Sequence, residues 1–451
     1  MTPLYTGEIV RIYAWRVVLG SEGLVNAALK WLGVIDEPVK FLLFSPFTTH
    51  LVLLYNNLPF MVLAIWISAE LIDKRLIEAA RDLGARPIDA FFKVILPLTT
   101  PGLAVGVFTV FALAAGDMMT PSLLGSTSGA TPMAMIDNLF GTAFDWPLAS
   151  RAVAQPSCRP VRLCHRVCDH PASVRWRPRG LSTGATMIRL VILTLGLAVC
   201  FFYLPIVVLG IFSFNAASTM AFPLSGFTFT WYADLFGNEA FLGGFVTSFL
   251  IAQPVGLLGA LIGLMAALAV TSPRMKFRAA FAILVLVPFL VPKTVLSIAQ
   301  AMLMSWVGLG RGATALILAQ TLVVIPFTTT ILAAVMIRLD PRLEEAARDL
   351  GATPWQSFRR VLLPQLSVAL SAAYSIGVIL SLADLTISMF LAGRTQPLSL
   401  IVASEFRREL KPDLNAMQVA VLVLTALIVA MTEINRRRRL RGRMAHIRDD
   451  L

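Results

Sequence analysis

Charge is scarce in this 451-residue chain. Asp, Glu, Lys and Arg make up 14% of it and hydrophobic residues 57%, against roughly 25% charged in a soluble domain. With a mean hydropathy of +0.77, these values exclude an ordinary soluble globular protein and point to an integral membrane protein. Cysteine and histidine number four each. Cys158, Cys164 and Cys168 crowd into one segment and Cys200 lies in an apolar run, so no disulfide framework is implied. No Ser/His/Asp or paired-carboxylate constellation emerges, which argues against an enzyme. A phosphate-binding G-x-x-x-x-G-K-[ST] loop is absent as well. The nearest approach, GLGRGAT at 308–314, lacks the lysine and follows no strand. ATP hydrolysis by this chain is therefore not expected. No short apolar core with a cleavage site opens the sequence, so insertion is expected to use the spans themselves.

The formal net charge is +12, and its placement decides its meaning. Residues 151–179 hold seven Arg and one Asp, and residues 436–451 hold seven Arg and two Asp. The tail NRRRRLRGR directly follows an apolar run, where Lys and Arg mark the cytoplasmic end of a span. The partner implied by this charge is the lipid bilayer, not nucleic acid.

A crossing helix needs about 20 mostly apolar residues. The second half offers six, near 188–212, 242–270, 279–303, 312–337, 366–392 and 415–434; the first half offers 48–69 and 98–119. Arg11, Arg16, Glu22 and Lys30 interrupt 9–35 too often for a span. Continuous apolar runs exclude a β-barrel, so the expected fold class is all-α, a polytopic transmembrane helix bundle. Loop charge orients the second half. Residues 213–241 carry no Lys or Arg and belong outside, whereas Arg274, Lys276, Arg278 and the Arg338–Arg360 region belong inside. The loop 393–414 dissents, with four basic residues on the outer side; its LSLIVASEF stretch reads as an amphipathic helix lying on the outer surface.

One charged segment occurs twice. IEAARDLGARP at 77–87 and EEAARDLGATP at 344–354 agree at nine of eleven positions, at an offset of 267. Leu343, Ala346, Ala347 and Leu350 form one helical stripe, and Leu76, Ala79, Ala80 and Leu83 repeat it. Glu344 and Arg348 make an i,i+4 pair. Gly351 suits a left-handed helix C-terminus. Thr353-Pro354-Trp355-Gln356 then reads as N-cap, N1 proline and capping-box glutamine. The first copy has Arg86 at the cap position, so its second helix is expected to start less sharply. Small alanines on the stripe let another backbone come close; burial on the membrane surface or against its own bundle is the alternative.

The spacing Glu78-Ala79-Ala80, Gly84, Leu96-Pro97, repeated as Glu345-Ala346-Ala347, Gly351, Leu363-Pro364, resembles the EAA loop of ABC importer permeases. Pro59-Phe60 with Pro326-Phe327, and Asp117 with Asp384, extend the match at the same offset. The resemblance implies a MetI-like permease architecture, in which each loop is a coupling helix docked on a cytoplasmic ABC ATPase dimer. It also implies an extracytoplasmic solute-binding protein, ATP bound on the partner subunits, and no cofactor on this chain. RIYAWRVVLGSEGLVN, FDWPLAS and FTWYADLF are most similar to the spermidine/putrescine permease pair. Residues 187–443 resemble a complete six-span unit ahead of a 444–451 tail, and 1–150 resembles a truncated partner, leaving room for a second permease subunit.

Three candidate pathway residues follow. Lys293 lies mid-span in VPFLVPKTVLSIAQ, where it either lines a path for an anionic solute or snorkels to the outer face. Asp117 and Asp384 end spans at matching places, as acids that meet a cationic solute or as helix-end residues. Residues 151–186 carry three of the four Cys and no apolar run. They read as a linker or as an out-of-frame replacement of a span before the start-like Met187. The spacing of Cys164, His165, Cys168 and His170 fits no paired-Cys zinc pattern. An ion-driven secondary transporter and a membrane scaffold are the competing classes; internal repeats occur in secondary transporters too, but a docking loop has no use there.

Overall fold

The computed structural model describes residues 8–70, 72–117, 119–125, 184–217, 224–272, 275–340, 342–408, 414–427, 430, 431 and 434. Among these, the only β pairing is a single bridge between Asn215 and Phe227; the regular structure is helical, as the apolar runs require. Contacts divide the chain into two compact units, Arg11–Leu209 and Gly210–Leu451. Among the described residues, five helices are long and apolar enough to cross a membrane, or up to seven if each bent pair is one span.

The first unit opens with two short helices, α1 (Glu8–Leu19) and α2 (Leu24–Trp31). Neither is long enough to span, which agrees with the charges that interrupt this region. Every apolar side chain from Ile12 to Leu19 in α1 is buried. The long α3 (Pro46–Glu70) follows, then α4 (Lys74–Asp82), α5 (Pro87–Ala90), a π-helical turn at Phe91–Ile95, α6 (Leu96–Gly116) and α7 (Met119–Leu124). Helices α3 and α6 pack closely because Gly102 and Gly106 present no side chain. A Cβ at Gly102 would stand 2.2 Å from the Ser68 Cβ. Small residues four apart are how membrane helices let their backbones meet. The sequence reads 98–119 as one span, whereas the helix axis bends by 57° between Ile88–Thr100 and Gly102–Gly116. Pro101 sits at the bend and removes a helix hydrogen bond there.

The span that opens the second repeat, Ile192–Phe212 within α8 (Gly184–Phe212), groups by contact with the first unit up to Leu209. The Tyr55 hydroxyl of α3 donates to the Phe202 carbonyl at 2.8 Å. Trp15 of α1 packs on Phe201 at 5.4 Å between ring centroids and edge-on to Tyr55 at 5.6 Å. Residues 126–183, which include the anomalous 151–186 segment, lie outside the described residues.

The second unit contains α9 (Thr230–Gly237), α10 (Glu239–Thr271), α11 (Arg278–Leu290), α12 (Lys293–Trp306), α13 (Ala313–Met336), α14 (Arg342–Asp349), α15 (Pro354–Ser357), a π-helical turn at Phe358–Leu362, α16 (Leu363–Leu382), α17 (Thr386–Leu391) and α18 (Leu398–Arg408). A last apolar helix, α19, covers Leu414–Leu427. Its core is three-cornered. Ala260 and Leu264 of α10, Leu332 of α13, and Leu366 and Ala373 of α16 form one buried cluster. Where α10 crosses α16, a Cβ on Gly377 would lie 2.9 Å from the Gly256 Cα, so both positions need hydrogen. Gly377→Ala is expected to cost about 1–3 kcal/mol by overpacking and to lower the thermal unfolding midpoint in detergent. Gly196→Ala, with nothing within 4 Å of the new Cβ, is the silent control; equal midpoints would refute the close crossing.

Two sequence expectations need correction. The 279–303 run is not one straight span: α11 and α12 meet at 97°, because Val291 and Pro292 leave the helix and Pro292 cannot donate a backbone bond. The 366–392 run is displaced, since the apolar helix runs Pro354–Leu382 and α17 is a separate piece. The LSLIVASEF stretch is helical, as the pattern reads, and packs on α10. The Leu398 amide donates to the Ser248 hydroxyl at 2.7 Å, and Ile401 fills the space above Gly244.

Candidate functional site: paired loops and a buried polar seam

The repeated segments fold alike, residue for residue. Helices α4 and α14 each begin after an aspartate: Asp73 accepts the Arg75 amide at 2.9 Å and Asp340 the Arg342 amide at 3.0 Å. These caps are the same residue at the 267 offset, and the sequence reading overlooked them. Each helix ends in a Schellman motif. In the first copy the Ala85 amide donates to Ala80 O at 3.0 Å and the Gly84 amide to Arg81 O at 2.8 Å. In the second, Ala352 donates to Ala347 O at 3.0 Å and Gly351 to Arg348 O at 2.8 Å. Gly84 and Gly351 have φ of 81° and 84°, the left-handed geometry that the turn demands.

The expected capping box is present. The Thr353 hydroxyl accepts the Gln356 amide at 3.3 Å, and Gln356 Oε1 accepts the Thr353 amide at 2.9 Å. Helices α5 and α15 begin at equivalent prolines, Pro87 and Pro354. The glycine turns that precede them make the same backbone hydrogen bonds. The Glu344–Arg348 ion pair forms; Ile77 replaces the glutamate in the first copy.

The stripe is uncovered among the described residues. Leu83 and Leu350 are each 89% exposed. Leu76 and Leu343 are exposed, as are Glu78, Ala79, Glu345 and Ala346; Ala80 and Ala347 are half-buried. Trp355 stacks on Phe358 at 5.5 Å and remains largely exposed. An apolar face of this kind on a charged helix is complementary to a shallow apolar groove on another protein.

The structure places the three pathway candidates at helix ends. Asp117 closes α6; its carboxylate accepts the Thr120 amide at 3.0 Å and the Thr120 hydroxyl at 2.6 Å. Asn56 Nδ2 donates to that hydroxyl at 3.4 Å, and the buried Arg11 donates to Asn56 O at 3.4 Å. Asp384 accepts the Ile387 amide at 3.0 Å, so both acids bind the backbone of the short helix that follows. Lys293, half-buried, is the first residue of α12. It therefore stands at the break between two half-helices and not in the middle of a straight span. Metal-ligand candidates Cys164, His165, Cys168 and His170 lie outside the described residues.

Sequence reasoning missed the buried carboxamides of the second unit. Gln300 donates to Ala319 O at 3.2 Å. Its neighbour across the seam, Gln320, accepts the Ser381 hydroxyl. Asn415 and Gln418 are fully buried near the start of α19, and none of their four polar side-chain atoms has a hydrogen-bond partner. The available signal was a polar side chain inside an apolar run, which a windowed hydropathy average erases.

Comparison with known proteins places the sequence in a family. The chain matches the profile of the "Binding-protein-dependent transport system inner membrane component" family over residues 39–155 and 259–439. Its first part is 37% identical over 150 residues to the spermidine/putrescine transport system permease protein PotB of Escherichia coli K12, covering 33% of this chain and 54% of PotB. Thus the chain spans about half the length of that relative. Its second part is 30% identical over 243 residues to the putrescine transport system permease protein PotI of the same organism, covering 52% of this chain and 85% of PotI. A bacterial ABC transporter involved in the import of the acidic polysaccharide alginate aligns over 56% of this chain and 95% of its own, at 18% identity and a TM-score of 0.46; that value is too low to add to the argument. With the family profile matching both repeats, the chain belongs to the inner-membrane permease components of binding-protein-dependent transport systems.

Proposed function

We propose that this chain forms the translocation path of an ATP-driven importer for a small cationic solute, a polyamine such as spermidine or putrescine. The observation that carries the reading is the pair of uncovered leucines, Leu83 and Leu350, on two helix–glycine–helix loops with the same caps and turn bonds. Each loop docks on one subunit of a cytoplasmic ABC ATPase dimer. Glu78-Ala79-Ala80 and Glu345-Ala346-Ala347 form the docking helices, and Gly84 and Gly351 set their exit angle. The chain holds no ATP site of its own and acts as a permease, not an enzyme. Solute arrives from an extracytoplasmic binding protein, and a second permease subunit completes the path if the first unit is incomplete. Asp117 and Asp384 lie at the ends of matching spans, where acids favour a cation. The polyamine assignment draws on the likeness to PotB and PotI.

One observation favours an anionic solute instead. Lys293 opens α12 at the break, and that helix start has no side-chain cap. A helix N-terminus with a lysine on it attracts negative charge, and broken helices place such ends at solute sites in other transporters.

Labelled spermidine uptake into vesicles carrying the assembled importer separates these readings. Uptake should require ATP, persist when the proton gradient is collapsed, and be competed by putrescine but not by phosphate or succinate. Leu83→Asp with Leu350→Asp should release the ATPase from the membrane and abolish uptake. Gradient-driven uptake without the ATPase would identify a secondary transporter. Competition by the anions alone, lost on Lys293→Met, would establish the anionic cargo.

A further inference from the structure

We infer that Gln300 is the acceptor that holds an ammonium group of the solute as it passes through the second unit; the inference rests on the cationic-solute reading above. Gln300 lies on α12 and is 5% exposed. Its Nε2 donates to the Ala319 carbonyl of α13, which fixes the amide orientation, since a flip would set two oxygens against each other. The atom left over is therefore Oε1, and it has no hydrogen-bond partner. A buried acceptor without a donor is destabilising, the more so in a bilayer, where bulk water is absent. It is tolerated where a ligand supplies the donor.

The surroundings specify which donor. Ala319 is followed by Gln320, whose Oε1 is taken by the Ser381 hydroxyl of α16. Ser381 lies one helical turn before Asp384, and α17, which Asp384 caps, packs against α12. Gln300, Gln320 and Ser381 thus put neutral side-chain oxygens on three adjoining helices, and Asp384 caps the short helix that packs against α12. A primary or secondary ammonium brings N–H donors and positive charge together. An ionised carboxylate brings only acceptors. Lys293 stands seven residues earlier, roughly 10 Å along the helix, and its repulsion confines a bound cation to the Gln300 end.

The test uses the full chain assembled with its ATPase and binding protein in proteoliposomes, with spermidine as the probe. Gln300→Met keeps the shape and removes the acceptor. It should lower the maximal rate of spermidine uptake about tenfold, while binding-protein-stimulated ATP hydrolysis stays unchanged. Gln300→Glu restores an acceptor and should recover uptake. As a second measurement, Gln300→Cys in a background lacking native cysteine should react with a methanethiosulfonate reagent about fivefold more slowly when spermidine is bound. Unaltered uptake in Gln300→Met together with no protection would overturn the assignment, leaving a buried water at that oxygen. Equal loss of uptake and of ATP hydrolysis in both variants, with no protection, would reduce Gln300 to a structural residue. An unmutated importer that hydrolyses ATP on demand yet moves no spermidine would overturn the cargo reading and this assignment together, whereas spermidine uptake insensitive to Gln300→Met would overturn this assignment alone.

Discussion

Gly351→Val should uncouple the importer, lowering ATPase docking and solute uptake about tenfold. The turn holds position 351 at φ 84°, where an L-residue is strained by roughly 1–2 kcal/mol and a β-branched one is an outright outlier. Nothing lies within 4 Å of the new Cβ, so the penalty comes from the backbone alone and not from a clash. A relaxed backbone breaks the Ala352-to-Ala347 and Gly351-to-Arg348 bonds and swings Leu350 off the docking stripe. Since about 1.4 kcal/mol is a factor of ten in affinity, one loop loses about that factor. Gly84→Val should do the same, and the double variant about a hundredfold, because distant sites add. Gly351→Asn, which tolerates the left-handed region, should retain most activity. The measurements are co-purification of the ATPase and labelled uptake at matched chain levels. If valine and asparagine behave alike, the backbone explanation is wrong.

The loops were legible because local rules dictate them. A glycine placed after a helical stripe, and a threonine three residues before a glutamine, name their own geometry. The aspartate caps were equally local but overlooked, because Asp73 and Asp340 precede the conserved-looking core of the repeat and sit next to apolar runs. The long spans were legible from hydropathy, and their breaks were not. An average over 279–303 passes across Val291-Pro292 without registering that one proline turns the chain through 97°. Pro101 bends the first unit where its counterpart in the second, Val368, allows a straight helix. The polar seam was hidden for a related reason. Gln300, Gln320 and Ser381 are scattered over three helices, and only packing brings them into one layer. The amphipathic pattern of LSLIVASEF states that a face is covered, not which helix covers it; α10 packs against it.

The last expectation concerns the chain's passage between its two repeats. Charge places both EAA loops on the cytoplasmic side. The span after the first loop therefore ends outside, and the second repeat has to begin inside to orient its own loop. Residues 151–186, which must make the return, carry seven Arg. At about 2.5–3.5 kcal/mol for each arginine near a span centre, crossing would cost on the order of 20 kcal/mol, with no apolar run to offset it. The full-length chain should thus hold Ser126 and Thr183 on the same side of the membrane. A correctly oriented second repeat then arises as a separate product beginning at Met187, free to pair its α8 with a first unit made on another chain. Single-cysteine variants Ser126→Cys and Thr183→Cys, in a background lacking native cysteine, report the side through an impermeant maleimide. Immunoblotting against the C-terminus reports the shorter product. Ser126→Cys labelled from outside and Thr183→Cys from inside, on one intact chain that supports uptake, would show that the arginine-rich segment does cross. In that case the cost has to be met by burial of its arginines in protein instead of lipid.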